Sequence, residues 1–239
     1  MKTDLNFIKS KAIEYLNIDP IVDSNFSCIV YHTFINCNPI PFKDCYSNKF
    51  ILLDVINNKE NFKKCTDKIR DDILNSDNLF NIIFMLNKPY RFSFFKSIKD
   101  YLSKEDFNYY LKDIWISTEF PNADKNVKSN IALSLFKRSD KNILMTKEEF
   151  EYLKSLPNEV TIYRGTHKKD NSKALSWIDY YSTALWFAKR FDGNGYVLKV
   201  SINKKNIIAF FNARNENELI IDFNKIYNLK EEKIIDIKI

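Results

Sequence analysis

Four side chains in the last third of the chain carry groups that suit catalysis, and they follow one another in a fixed order. Arg164 ends the apolar run TIYRG, Ser176 opens the segment LSWIDYYSTALWFAKRF, and Glu216 and Glu218 are two residues apart in NARNENELIID. A guanidinium binds phosphate oxygens through strong, directional hydrogen bonds, and a fixed carboxylate stabilises a developing positive charge. Singly, each has an ordinary explanation as an ion-paired arginine, a turn serine or a chance pair of glutamates. Their joint order predicts one site.

The segments between these residues add to the pattern. YRG is followed by SW, by a predicted helix containing ALWFA, by GYV and by ELII. Over about residues 160–223 this combination resembles the arginine-serine-glutamate ADP-ribosyltransferases. That family has an aromatic-arginine pair on the first core strand, a serine motif on the next strand and glutamate-x-glutamate at a later strand. The stretches WISTEFPN and ILMTKEEFEYLKSLPNEV also look like the helical lead-in of phage and bacterial members. The serine motif departs from the common Ser-Thr-Ser, because Trp177 and Ile178 follow Ser176.

The resemblance implies that NAD is the substrate, with nicotinamide released and ADP-ribose transferred to a macromolecule. Glu218 would bind the ribose 2′-hydroxyl and stabilise the positive charge that develops on the sugar. Arg164 would hold the pyrophosphate or the adjoining ribose, and Ser176 would orient the nicotinamide ribose and Glu218. The other implied NAD-binding residues are Gly165 next to Arg164, Trp177 next to Ser176, and Phe187 within the predicted helix. Trp177 has two open interpretations, a core side chain or a ring against the nicotinamide face.

Glu216 bears on the acceptor. On an extended segment residues i and i+2 face the same side, so Glu216 and Glu218 are expected to enter one cleft. In family members with this pair the first glutamate is associated with activating an arginine acceptor, which makes a protein arginine the implied default target. Acceptance by a nucleic acid, hydrolysis of NAD by water, and a binding or inhibitory module without catalysis are the alternatives. Phe210 and Phe211 lie where family members have a target-recognition turn, or they end a core strand.

The apolar pattern changes along the chain from helical to strand-like. Apolar residues recur at three- and four-residue intervals before residue 157, whereas short runs rich in β-branched and aromatic residues follow it. The sequence therefore predicts an α+β fold, with a helical N-terminal region over residues 1–157 packed on a split mixed or antiparallel β-core over 158–239. In the family such a core holds NAD in a cleft between its two sheets.

Particular helix starts can be read from capping residues. Ser103 and Thr146, each followed three residues later by an acid, predict helices near 104–117 and 147–156. Ser182 is the predicted cap of the helix within the strand-rich part. The stretch 42–56 has no clear period and leaves strand or helix open, DGNG at 192–195 predicts a tight turn, and EEKIIDIKI predicts a last strand.

Charge, cysteine spacing and the N-terminal pattern bear on which partners and metal sites the protein is expected to have. The net charge of +6 is spread along the chain, so nucleic-acid binding is permitted but not indicated. The four cysteines and two histidines lack metal-binding spacing, which predicts reduced thiols and no metal site. His167 lies in the polar segment HKKDN, which predicts an exposed loop position. The N-terminus MKTDLNFIKSKAIEYLNID has no long apolar run, so we expect a cytoplasmic protein without a membrane partner.

Overall fold

The structure is a computed structural model, and its elements fall into two compact units. The residues that it describes are 1–18, 21–24, 26, 28–43, 49–118, 127–167, 173–190, 195–213 and 215–234. One unit is Met1–Tyr110 with Ser117–Glu119, and the other is Leu111–Ile116 with Phe120–Ile239. The division therefore lies near residues 110–120, well before the change of pattern at 157, because the helices that precede the strands belong to the same unit as the strands.

The first unit is helical with two small antiparallel hairpins. Its helices are α1 (Leu5–Ile18), α2 (Lys59–Asn75), α3 (Leu79–Met85), α4 (Lys88–Ile98) and the start of α5 (Lys104–Ser117). Its strands are β1 (Val22–Asp23), β2 (Val30–Tyr31), β3 (Ile40–Lys43) and β4 (Phe50–Leu53), paired as β1 with β2 and β3 with β4. The undecided stretch 42–56 thus contributes to a hairpin. The described cysteines, Cys28, Cys37 and Cys65, are free thiols.

The second unit contains a six-stranded antiparallel sheet and the helices that cover it. The helices are α6 (Ser129–Arg138), α7 (Lys141–Leu144), α8 (Lys147–Ser155) and α9 (Tyr181–Lys189). The strands are β5 (Glu159–Thr166), β6 (Ser176–Ile178), β7 (Gly195–Asn203), β8 (Ile207–Phe211), β9 (Glu218–Ile221) and β10 (Lys230–Ile234). Their spatial order is β10-β7-β5-β6-β9-β8, so the prediction of a strand-rich C-terminal part is confirmed.

The two central strands of the sheet, β5 and β6, share little backbone pairing. In the described residues β5 pairs with β7 along its whole length, from Glu159 opposite Asn203 to Thr166 opposite Tyr196. By contrast, β5 and β6 share the single register pair of Tyr163 with Ile178. Strands β10, β7 and β5 consequently form one half of the sheet, and β6, β9 and β8 form the other.

Two of the three predicted helix caps are confirmed. The Ser103 hydroxyl accepts the backbone N–H of Asp106 at 3.0 Å, and Thr146 forms a reciprocal capping box with Glu149. The prediction for Ser182 is wrong, because the cap of α9 is Tyr180, two residues earlier, and no side-chain hydrogen bond is made there. The ring of Tyr181 packs edge-on against Tyr163 of β5, and this tertiary contact lies at the start of the helix.

Strand β8 lies at the edge of the sheet and yet is buried along its whole length. Helices α7 and α8 pack on it, and the ring of Tyr152 stacks on Phe210 with centroids 4.2 Å apart. Phe210 and Phe211 are 3% and 2% exposed. Both aromatic residues therefore end a core strand, which decides between the two interpretations of their role.

Candidate active site

Arg164, Ser176 and Glu218 lie on three strands that are neighbours in the sheet. Arg164 is on β5, Ser176 opens β6 and Glu218 opens β9, and β6 lies between the other two strands. Glu218 is directly opposite Ile178, and Ser176 is two residues before Ile178. The side chains of Ser176 and Glu218 therefore share one face of the β6–β9 pair as diagonal neighbours, a relation that usually separates such residues by about 7–8 Å. Both residues are partly exposed.

The Arg164 guanidinium spans the sparsely paired junction between β5 and β6. Its Nη1 atom donates a hydrogen bond of 2.5 Å to the backbone oxygen of Ser176. Burial lowers the pKa of Arg164 to about 10, while the nearby Glu218 carboxylate acts in the opposite direction. Since a pKa of about 10 lies above neutral pH, the group keeps its charge at pH 7. Its Nε atom is buried and meets no hydrogen-bond acceptor in the described part of the chain.

Glu218 is held by a tryptophan from a distant helix. The indole Nε1 of Trp115, near the end of α5, donates a hydrogen bond of 3.0 Å to Glu218 Oε1. Trp115 is 2% exposed. The apolar spacing of the sequence predicts this helix, and a buried indole N–H needs an acceptor. That spacing does not reveal an acceptor 103 residues away, so Trp115 was not among the predicted site residues.

The structure places Trp177 in the core. The side chain is fully buried, and its Nε1 donates to the backbone oxygen of Ala174 at 2.9 Å. Because side chains alternate along a strand, Trp177 lies on the sheet face opposite to Ser176 and Glu218. Of the two interpretations of Trp177, the structure therefore supports the core side chain, because the fully buried ring has no face exposed to a nicotinamide.

Gly165 and Phe187 lie where helix α9 crosses strand β5. A Cβ atom on Gly165 would be 2.0 Å from the backbone oxygen of Ala184 and 2.7 Å from the Cβ atom of Phe187. The glycine is thus required for close packing of helix on strand. Phe187 is half-buried and packs edge-on against Trp186. Gly165 has a structural role beside Arg164, while the predicted NAD contact of Phe187 stays a prediction.

We expect Gly165→Ala to lower the free energy of unfolding by at least about 2 kcal/mol, because backbone atoms of α9 must move away. Urea denaturation followed by circular dichroism measures this. Thr161→Ala is the matched control on an exposed position of the same strand and should cost less than about 1 kcal/mol. Equal stability of the two variants would contradict the close approach of α9 and β5.

The two glutamates do not share an extended segment. Strand β9 begins at Glu218, and Glu216 lies in a bend between Asn215 and Asn217, which have left-handed φ angles of 55° and 51°. Alternation along a strand does not apply through a residue with positive φ. The argument that put Glu216 and Glu218 on one side is therefore wrong, although Glu216 is half-buried and lies only two positions before Glu218 along the chain.

A buried ion pair anchors the loop that carries Glu216. Glu149, at the start of α8, accepts from Lys112 Nζ at 2.5 Å and from the Asn212 backbone N–H at 3.2 Å. The side chains of Lys112 and Glu149 are 17% and 8% exposed. Asn212 in turn accepts the backbone N–H of Asn217 at 3.3 Å. The first and last residues of the β8–β9 loop are thus tied to each other and to α8.

We expect Glu149→Gln to lower the free energy of unfolding by about 3 kcal/mol, since it leaves the Lys112 amine without its carboxylate in a buried setting. Chemical denaturation checks this. Glu151→Gln is the matched control, because Glu151 pairs with Lys154 on the exposed side of the same helix and is 58% exposed. The control should change stability by less than about 0.5 kcal/mol. A Glu149→Gln variant as stable as the control would show that the pair contributes nothing.

Other features of the second unit lie apart from these residues. A cavity of about 210 Å³ at the far end of β8 and β9 is lined in part by Lys137, Lys141, Lys205 and Asp222, and not by Arg164, Ser176 or Glu218. His167 is exposed, as predicted, and most of the loop after it, like residues 192–194 of the predicted DGNG turn, lies outside the described residues. Among the described residues no group of three or more His, Cys, Asp and Glu could hold a metal ion. No helix in the described ranges is long and apolar enough to cross a membrane.

Comparisons with protein-family models, with curated proteins and with solved structures find no match to this chain.

Proposed function

We propose that this protein cleaves the bond between nicotinamide and ribose in NAD and transfers ADP-ribose to a macromolecular acceptor. The observation that carries the proposal is the convergence of Arg164, Ser176 and Glu218 on three adjacent strands, with the guanidinium bonded at Ser176 and within electrostatic reach of Glu218. Their order along the chain follows the motif order of the ADP-ribosyltransferases. The sparse pairing between β5 and β6 also suits the split core of that family.

The arrangement supports a distinct role for each residue. When the C1′–N bond of NAD breaks, its electron pair leaves with neutral nicotinamide and positive charge develops on the ribose. The partly exposed Glu218 carboxylate suits stabilisation of that charge. Arg164 remains charged at neutral pH, and a phosphate oxygen would supply the acceptor that its buried Nε lacks in the described residues. Ser176 shares a sheet face with Glu218, so its hydroxyl suits orientation of the ribose.

The acceptor completes the reaction. Its nucleophilic atom forms a bond with C1′ and loses a proton, either to Glu216 or to solvent. An arginine side chain of a protein is the default acceptor implied by the glutamate pair. The left-handed Asn217 between the two glutamates separates Glu216 from the strand that holds Glu218, and this favours NAD hydrolysis by water as the second candidate.

The test uses NAD labelled on its adenylate phosphate, incubated with the purified protein in a cell lysate that is divided into protease-treated and nuclease-treated portions. Label on a protease-sensitive band supports transfer to protein, and label on a nuclease-sensitive band supports transfer to nucleic acid. Free ADP-ribose without labelled macromolecules supports the hydrolase. If NAD stays intact with the wild-type protein in every lysate, the proposal fails and a non-catalytic binding module takes its place.

A further inference from the structure

The hydrogen bond between Trp115 and Glu218 joins a buried, rigid donor to the carboxylate assigned to the reaction centre. An indole Nε1–H can only donate, and Trp115 is 2% exposed, so the bond to Glu218 Oε1 fixes one carboxylate oxygen in place. The donor is neutral. It therefore holds the carboxylate without cancelling the negative charge that the proposed reaction needs.

Aromatic contacts hold the indole ring itself. Trp115 packs edge-on against Phe136 of α6, with centroids 5.0 Å apart and planes at 90°. Phe136 also lies against Phe211, with centroids 6.2 Å apart. Phe211 is the residue directly opposite Glu218 in the β8–β9 pair. The contacts thus form a closed ring of residues that begins and ends at Glu218.

The same helix segment holds the loop before Glu218. Lys112, one turn before Trp115, pairs with Glu149 and lies over the Phe211 ring with its Nζ 5.3 Å from the centroid. Glu149 holds Asn212, which starts the loop, and Asn212 holds Asn217, the residue before Glu218. The backbone and the side chain of Glu218 are consequently tied to one face of the end of α5.

We propose that Trp115 is a positioning residue for Glu218, an inference that rests on the proposed function. The indole N–H orients the carboxylate toward the sugar before the bond to nicotinamide breaks. Displacement of a reacting group by about 1 Å costs on the order of 10²-fold in rate. Since the charge stabilised by Glu218 appears only in the transition state, loss of this bond lowers kcat far more than it changes the KM for NAD.

The experiment compares two replacements of Trp115. In Trp115→Phe the donor is lost together with part of the ring. In the second variant, 3-benzothienylalanine at position 115 keeps the bicyclic shape but has sulfur in place of the N–H. We expect both to lower kcat by roughly 10–100-fold with less than about a threefold change in KM. Trp186→Phe is the matched control, because Trp186 is 56% exposed, and it should retain the wild-type kcat.

Retention of the wild-type kcat by the benzothienyl variant overturns the proposal, since that variant lacks only the donor. A rise in KM with unchanged kcat also overturns it, because Trp115 would then contribute to NAD binding. A second readout does not depend on activity. The chain has three tryptophans, so three indole N–H signals are expected in a nitrogen-15 NMR spectrum, and Trp115→Phe identifies one of them.

Glu218→Ala should shift the Trp115 indole signal and leave the Trp186 signal in place. If wild-type protein does not cleave NAD but the Trp115 signal shifts, the proposed function fails while the tie between Trp115 and Glu218 stands. If the signal does not move, the positioning proposal fails whether or not NAD is cleaved.

Discussion

Glu218→Gln is expected to lower kcat for NAD cleavage by on the order of 10²–10³-fold while the KM for NAD changes little. Glutamine keeps the shape of the side chain and an oxygen that can accept from Trp115, so the packing around β9 is retained. What it removes is the negative charge opposite the developing positive charge on the ribose. Steady-state kinetics of nicotinamide release, measured together with the free energy of unfolding, separates this effect from a loss of folded protein.

Glu216→Gln is the matched control for the charge change. If Glu216 acts on the acceptor, this variant still releases nicotinamide at a rate within a few-fold of wild type but loses transfer of label to macromolecules. Comparison of the Glu216→Gln and Glu218→Gln variants therefore separates cleavage of NAD from transfer of ADP-ribose. Wild-type rates of nicotinamide release in Glu218→Gln would remove Glu218 from the reaction centre.

The second large effect is expected from Arg164→Met. Loss of charge-assisted hydrogen bonds worth about 1.5–3 kcal/mol to a phosphate should raise the KM for NAD roughly 10–100-fold. The free energy of unfolding should change by less than about 1 kcal/mol, because methionine removes the cost of burying a cation together with its hydrogen bond to Ser176. Kinetics and denaturation on the same preparation test both statements.

The KM for NAD and the free energy of unfolding together distinguish a role of Arg164 in NAD binding from a structural role. If the guanidinium merely joins the two halves of the sheet at Ser176, the variant loses several kcal/mol of stability and its KM stays near wild type. Arg138→Ala, at an exposed position at the end of α6, is the control for removal of an arginine. It should leave the KM for NAD unchanged and the free energy of unfolding within about 1 kcal/mol of wild type. Arg164→Lys should resemble the methionine variant in KM, since a lysine has no planar fork for two oxygens.

Local pattern was enough for most of the secondary structure. Helix α5 over Lys104–Ser117 has the predicted bounds, and the Thr146 capping box starts α8 where the sequence puts it. Capping involves neighbours three residues apart, so it is visible in the sequence. The predicted start of α9 is wrong. The structure has Tyr180 at the cap and the Tyr181 ring against Tyr163, so Ser182 lies within the helix.

For the site, the sequence by itself determined the candidate residues and their order along the chain. The strand pairing in the folded sheet is what brings Arg164, Ser176 and Glu218 onto neighbouring strands. Their order is readable because each follows or opens a local apolar run. The tertiary structure alone decided that Trp177 is in the core, since the one-residue alternation of β6 fixes its face only after the pairing with β9 is known. It also decided that Asn217 interrupts the glutamate pair and that Trp115 bonds Glu218. A bond between residues 103 positions apart arises from packing, and the spacing of residues along the chain does not encode packing of that kind.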